Sequence, residues 1–328
     1  MEVKNLFMKQ KMMRTVLLSL IPVALMAVFL FGWRVVMLAV IVALAAVIAE
    51  YLIMRTINKE KTRVSEAVFV SAALFTLSLP PRTPIWIALV GIVFGVVFGK
   101  AVFGGFGRNI FNPALVGRCF IYIAFPTQMT MRWETPFLSL PGGFAAWMPA
   151  ADAVTSATPI INFNTSGALT PLSKLFFGFI NGSLGETSAL LIILCGLFLV
   201  LKKVASWRLM VSTIVSGGIL SALLFYLGAT GAGGRALAPP LFALLSGGFL
   251  FGAVFMVTDP ISAPKDNVSQ WISGTLVGLI TIVIRSFALF TEGVMFAILI
   301  VNALTPLIEL KVKQIRDRGK KPQKEAAA

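Results

Sequence analysis

Two short polar stretches hold most of the side chains in this chain that are equipped for chemistry. In Asp152-Ala153-Val154-Thr155-Ser156-Ala157-Thr158, small and polar residues interrupt an otherwise apolar sequence. Thr158 ends the run with a hydroxyl among small neighbours, which suits attachment of a group through oxygen by a transferring enzyme. The same composition also makes an ordinary turn, because Asp, Ser and Thr hydrogen-bond to nearby backbone. The second stretch is Gly104-Gly105-Phe106-Gly107-Arg108-Asn109-Ile110-Phe111-Asn112-Pro113-Ala114. Its glycines let backbone approach a ligand, and Pro113 suits the first position of a helix. Asn109 and Asn112 are three apart and share a face if that helix begins early. Each amide offers a donor and an acceptor, as the edge of a flavin ring or a quinone carbonyl requires. The alternative is a tight re-entrant turn with Asn112 capping the following helix.

A third polar break is Val257-Thr258-Asp259-Pro260-Ile261-Ser262-Ala263-Pro264. Asp259 there either binds a cation or caps the turn made by Pro260, and the cap is the simpler reading. Glu50, Glu66, Glu292, Glu309 and Arg285 stand at or within the ends of apolar segments, where snorkelling explains several of them. Arg118 lies deeper, so it needs an acidic partner or an anionic cofactor or lipid group. Cys119 and Cys195 sit in apolar stretches and read as packing residues. With no His and no paired cysteines, no metal site is expected from this chain alone.

The elements that must position these residues are membrane helices. The chain has 328 residues, is 58% hydrophobic and 12% charged, with mean hydropathy +0.91. Such composition excludes a soluble domain and indicates an all-α polytopic membrane protein. The apolar runs are continuous, without the period-2 alternation of a barrel. Ten spans are predicted, at 16–32, 35–54, 66–79, 85–103, 112–126, 187–201, 209–227, 237–257, 272–290 and 294–310. The net charge of +15 is read as a positive-inside bias, not as a nucleic-acid surface. With the N-terminus inside, 21 of the 28 Lys and Arg fall on the inner face, Lys100 among them, and 5 on the outer. Arg118 and Arg285 lie within spans. Both termini are therefore expected in the cytoplasm and Thr158 on the outer side. The expected organisation is a basic amphipathic N-terminus 1–15 on the membrane surface and a first five-helix half 16–126. An outer loop 127–186, a second half 187–310 and a solvated, unstructured basic tail 311–328 follow. Five spans per half invert the second half, which is the arrangement of an inverted repeat.

The segments GGFGRNIFNPALVGRCF, DAVTSATPI, MVTDPISAP and EGVMFAILIVNALTPLIE resemble the RnfD/NqrB family. Its members are the D component of the ion-translocating Rnf complex and the homologous B component of the sodium-translocating NADH:quinone oxidoreductase (Nqr). The resemblance runs in one order from about residue 10 to 310. It implies ten helices in a urea-transporter-like fold. It also implies FMN attached covalently to Thr158 within Asp152, Thr155, Ser156, Ala157 and Thr158. Noncovalent riboflavin would lie near Asn109 and Asn112, and Thr258 and Asp259 match a shared turn. The flanking Trp147 and Phe163 suit packing against the isoalloxazine or are ordinary aromatics of a membrane interface. Ser156 stands where the family often has Gly. The implied function is electron transfer within a redox-driven Na+ or H+ pump. Its implied partners are the other subunits, including a second covalent-FMN subunit, a flavin transferase and membrane lipid, in the bacterial inner membrane. The absence of a longer N-terminal region favours the Rnf type, ferredoxin:NAD+ oxidoreductase, whereas GRCFIYIAFPTQMT is closer to the Nqr form. A solute channel of the same fold, without flavin, is the competing class.

Overall fold

A computed structural model describes residues 7–58, 63–131, 133–149, 157–288 and 292–325. Asp152, Ala153, Val154, Thr155 and Ser156 lie outside the described residues.

Five helices are long and apolar enough to cross a bilayer: α1 (Lys11–Phe31), α2 (Arg34–Asn58), α10 (Trp207–Tyr226), α13 (Asn267–Phe287) and α14 (Gly293–Glu325). Shorter apolar helices fill the space between them: α3 (Ala67–Leu77), α4 (Ile85–Val96), α5 (Pro113–Ala124) and α9 (Ala189–Leu201). None of these four reaches the roughly 20 residues that span a hydrocarbon core. Each packs against neighbouring helices. Four shorter helices, α6 (Pro126–Thr130), α7 (Pro159–Ser166), α8 (Leu172–Phe177) and α11 (Pro240–Leu245), and the single turn α12 (Phe249–Phe251) complete the helical set. The molecule is thus a helical membrane protein built around one core, in which Phe31, Phe75, Phe249 and Phe251 are fully buried.

The ten expected apolar segments all contain helix, but the eighth is not continuous. α11 ends at Leu245, Ser246 is extended, and α12 restarts at Phe249 before a π-helical turn, Gly252–Met256. The cause is a pair of glycines. Gly247 adopts φ +61°, and a Cβ on Gly248 would stand 2.4 Å from Glu186 Oε1. The left-handed φ at Gly247 interrupts the helix, and the missing side chain at Gly248 leaves space for Glu186.

Packing follows one scheme in both halves. In the first, α2 contacts α4, α4 contacts α5 and α3 contacts α5. In the second, α10 contacts α13, α13 contacts α14, and the π turn after α12 contacts α14. α1 meets α9 across the halves. The α10–α13 seam is lined by small residues, Ser212, Ser216 and Gly217 against Ser273, Gly274 and Gly278, which allow close helix approach in a membrane.

The ends differ from expectation. At the start, residues 7–14 are tied to the body of the protein. The strand β1 (Phe7–Met8) pairs in parallel with β2 (Val64–Ser65), and Phe7 packs on Phe69 with centroids 5.6 Å apart. Glu66 accepts bonds from the Gln10 N–H at 2.7 Å and Arg14 Nε at 2.8 Å, so this start is clamped to the entry of α3. The basic tail is helical, because α14 continues to Glu325 without a break. Arg316 from that extension ion-pairs with Asp266, the N-cap of α13. The pairing, aided by the Ser269 N–H, holds the Asp266 carboxyl below the usual carboxylate range. The segment expected as a loop, 127–186, also carries structure, since α7 and α8 lie inside it and most of α6 at its start.

Candidate functional site

Thr158 occupies the N-cap of α7, with extended backbone (φ −69°, ψ 160°) and Pro159 at the first helical position. Its Oγ1 accepts a long bond, 3.4 Å, from the Ile161 N–H. The approach to it is pinned by Asn181, whose Nδ2 donates to the Ala157 carbonyl at 3.1 Å. The hydroxyl is half-buried and lines a small cavity of about 20 Å³ together with Trp133, Asn181, Ser183, Glu186, Gly248 and Glu292. A helix N-terminus favours an anionic group through its free N–H groups and dipole. A phosphate bound to Thr158 Oγ1 is therefore compatible with this position.

Beneath that cavity lies a buried ionic cluster. Arg118, 2% exposed, donates from Nη1 to Glu186 Oε1 at 2.8 Å and from Nη2 to Glu292 Oε2 at 2.5 Å. Ser183 accepts a third, longer bond from Nη2 at 3.4 Å. One guanidinium thus joins α5, the segment before α9 and the start of α14. Of the alternatives weighed for Arg118, pairing with acidic side chains is the one realised. Glu186, Ser183 and Trp133 carried no strong sequence signal, and only the polar run before α9 marks the first two.

At the N-terminal end of α5 lies the second site. Asn112 caps the helix, its Oδ1 accepting from the Ala114 N–H at 3.0 Å. Asn109 donates from Nδ2 to the Phe111 carbonyl at 3.0 Å. That leaves Asn109 Oδ1 and Asn112 Nδ2 buried without partners, one acceptor and one donor. Both residues line a cavity with Lys100, Asp259 and Met13. The two free amide atoms match the mixed edge of a flavin or a quinone. The cavity itself is about 10 Å³, the room of roughly one water. A ring would enter only if it widened.

Lys100, counted among the inner-face cations, belongs to this buried region. It is 2% exposed, sits in a π-helical turn (Val97–Ala101) and pairs with Glu50 Oε2 at 2.8 Å. Ser65 bridges the pair, accepting from Lys100 and donating to Glu50 Oε1 at 3.0 Å. A buried charge persists because it is paired and hydrogen-bonded. Asp259 caps its own turn, with Oδ2 accepting from Ser262 N at 3.1 Å and Oγ at 2.7 Å. Thr258 donates back to the Val254 carbonyl at 2.5 Å. Both thiols are free, with Cys195 in the core and Cys119 partly buried against it.

The expected aromatic neighbours of Thr158 divide. Phe163 pairs with Phe242 at 5.7 Å in a second cavity further along α7. Trp147 is exposed beside the start of α2, where its carbonyl accepts from the Arg34 N–H. The two polar sites stand at different levels of one short helix. Six residues separate Asn112 from Arg118 along α5, roughly 9 Å of rise.

Fold and sites together define a multi-pass helical membrane protein with polar sites at two levels of its interior. The chain belongs to the NQR2, RnfD, RnfE family, whose model matches residues 3–316. It is similar to the B subunit of the Na(+)-translocating NADH-quinone reductase of Pseudoalteromonas atlantica, 41% identical over 261 residues, covering 77% of this chain and 61% of that protein. The corresponding B subunit from Yersinia pestis is 38% identical over 283 residues, covering 81% of this chain and 63% of its own length. That from Azotobacter vinelandii is 39% identical over 267 residues, covering 77% and 61%. The chain therefore spans about three fifths of the length of the curated relatives it matches.

Proposed function

We propose that this chain is a membrane electron-transfer subunit of a redox-driven ion pump. It carries FMN covalently on Thr158 and binds riboflavin noncovalently between Asn109 and Asn112. The observation that carries this reading is a pair of ligand-competent polar sites, one at the start of α7 and one at the start of α5. One has a hydroxyl at a helix N-terminus, and the other has two buried amide atoms without partners. The flavins supply one- and two-electron chemistry. The chain supplies attachment at Thr158 Oγ1 and donor and acceptor atoms at Asn112 and Asn109.

In this reading the protein lies in a bacterial inner membrane with both termini in the cytoplasm and Thr158 on the outer side. The shared packing scheme of the two halves supports ten crossings arranged as a five-plus-five inverted repeat of urea-transporter-like fold. Partners are the other subunits of the pump, a second covalent-FMN subunit among them, and a flavin transferase that matures Thr158. The names of the relatives favour NADH:quinone chemistry. The Rnf form, ferredoxin:NAD+ oxidoreductase, rests on the sequence resemblance.

The complete complex in sealed vesicles tests the function. NADH with quinone, or reduced ferredoxin with NAD+, should drive uptake of Na+ or H+, and the productive pair identifies the type. Vesicles that pass solute passively and contain colourless protein would instead establish a channel. For the inner flavin, Asn112→Ala should lower the riboflavin released on denaturation severalfold while covalent FMN stays constant. Unchanged release would remove riboflavin from this site.

A further inference from the structure

A second outer cavity, about 60 Å³ against the 20 Å³ beside Thr158, lies further along α7. Phe163, Phe242, Arg235, Ser246 and Arg285 line it. Three buried donors there lack partners: Nε and Nη2 of Arg285 and Oγ of Ser246. The guanidinium is held in place by Nη1, which donates to the carbonyls of Ala243 at 3.0 Å and Ser246 at 3.2 Å. These carbonyls are available because the helix breaks after α11. Arg285 also lies over the Phe249 ring, 5.7 Å from its centroid. The acidic groups that act on it, Glu186 and Glu292, are already bound by Arg118. Unmatched buried donors each cost about 1–3 kcal/mol. Three around one cavity, two of them on a cation, describe a place built for acceptor atoms.

We infer that this cavity receives the oxygen-bearing edge of a flat aromatic ligand and that Arg285 is a positioning residue that stabilises negative charge there. The inference rests on the proposed function, because the ligand within reach is the flavin ring tethered at Thr158. Phe163 follows Thr158 by five residues, roughly 7–8 Å of helix rise, and its pair with Phe242 provides an apolar wall beside the donors. The two free N–H groups of Arg285 and the Ser246 hydroxyl face the edge on which a reduced flavin ring carries its charge. Ile160 lines both this cavity and the one beside the Thr158 hydroxyl.

Sulfite is a suitable probe for the flavinylated complex. Its lone pair forms an N–S bond at N5 of the oxidised ring, and the displaced ring electrons remain as negative charge at the N1–C2 carbonyl edge. Sulfite affinity therefore reports how well the protein stabilises that charge. Arg285→Gln should keep the covalent flavin fluorescence and lose roughly 10- to 100-fold in sulfite affinity. Ser246→Ala removes a hydroxyl that nothing in the fold uses, so the melting temperature should hold while affinity falls roughly threefold or more. Should Arg285→Gln fail to fold, Ser246→Ala decides alone. Unchanged sulfite affinity in a fluorescent Ser246→Ala complex, or in a folded Arg285→Gln complex, overturns the subsite and leaves covalent attachment standing. Absence of covalent flavin from the unmodified complex overturns both.

Discussion

Thr158→Ala should abolish the ultraviolet-fluorescent band of the denatured subunit produced with its flavin transferase, whereas Thr158→Ser should retain it. The reasoning is chemical before it is structural. A phosphoester requires a hydroxyl, and Thr158 Oγ1 is the one at the N-terminus of α7, where N–H groups and dipole favour a phosphate. The bond it accepts from Ile161 is long, 3.4 Å, so its present role as a cap is weak. Loss of a cap costs typically about 1 kcal/mol, so the alanine variant should stay folded. A fluorescent band from Thr158→Ala would move the attachment to another hydroxyl. No band from the unmodified protein would sink the redox reading and favour the channel class.

The second large effect is on stability. Arg118→Ala leaves Glu186 and Glu292 buried with no cation between them, and breaking such a pair costs about 3–5 kcal/mol. That is a large fraction of the stability of an ordinary domain. Arg118→Lys should recover only part of it, because one ammonium does not reproduce the fork that reaches two carboxylates at once. Adding Glu292→Gln to Arg118→Ala should lessen the loss, since one buried charge is then neutral. Thermal melting in detergent, with denaturant titration of the three variants, checks the order. A loss below about 1 kcal/mol for Arg118→Ala, the range of an exposed pair, would mean that water reaches the cluster.

Helix positions were legible in the sequence because a bilayer imposes long apolar runs, and each predicted run contains helix. Two failures share a cause. The space that Gly248 leaves for Glu186 joins residues 62 positions apart, beyond any local pattern. Lys100 was counted with the inner-face cations because lysine normally stays in water, and its burial with Glu50 and Ser65 has no local signature. At the sites, the Asn112 cap was visible from Asn-Pro-Ala alone. The Arg118 partners were not, since they come from 68 and 174 residues away. The three free donors around Arg285 and Ser246 were likewise invisible, because what a buried group lacks is decided by tertiary packing.

The continuous form of α14 sets a length scale. Its 33 residues make a rod of roughly 50 Å against a hydrocarbon core of about 30 Å. Only its first part is needed to cross the membrane, so about 20 Å stands clear as a stiff post bearing Lys311, Lys313, Arg316 and Arg318. A post has a fixed height and heading, unlike a loose tail that averages over both. Whatever docks on it is held at a set distance from the lipid surface, and the Arg316–Asp266 bond carries that load to the base of α13.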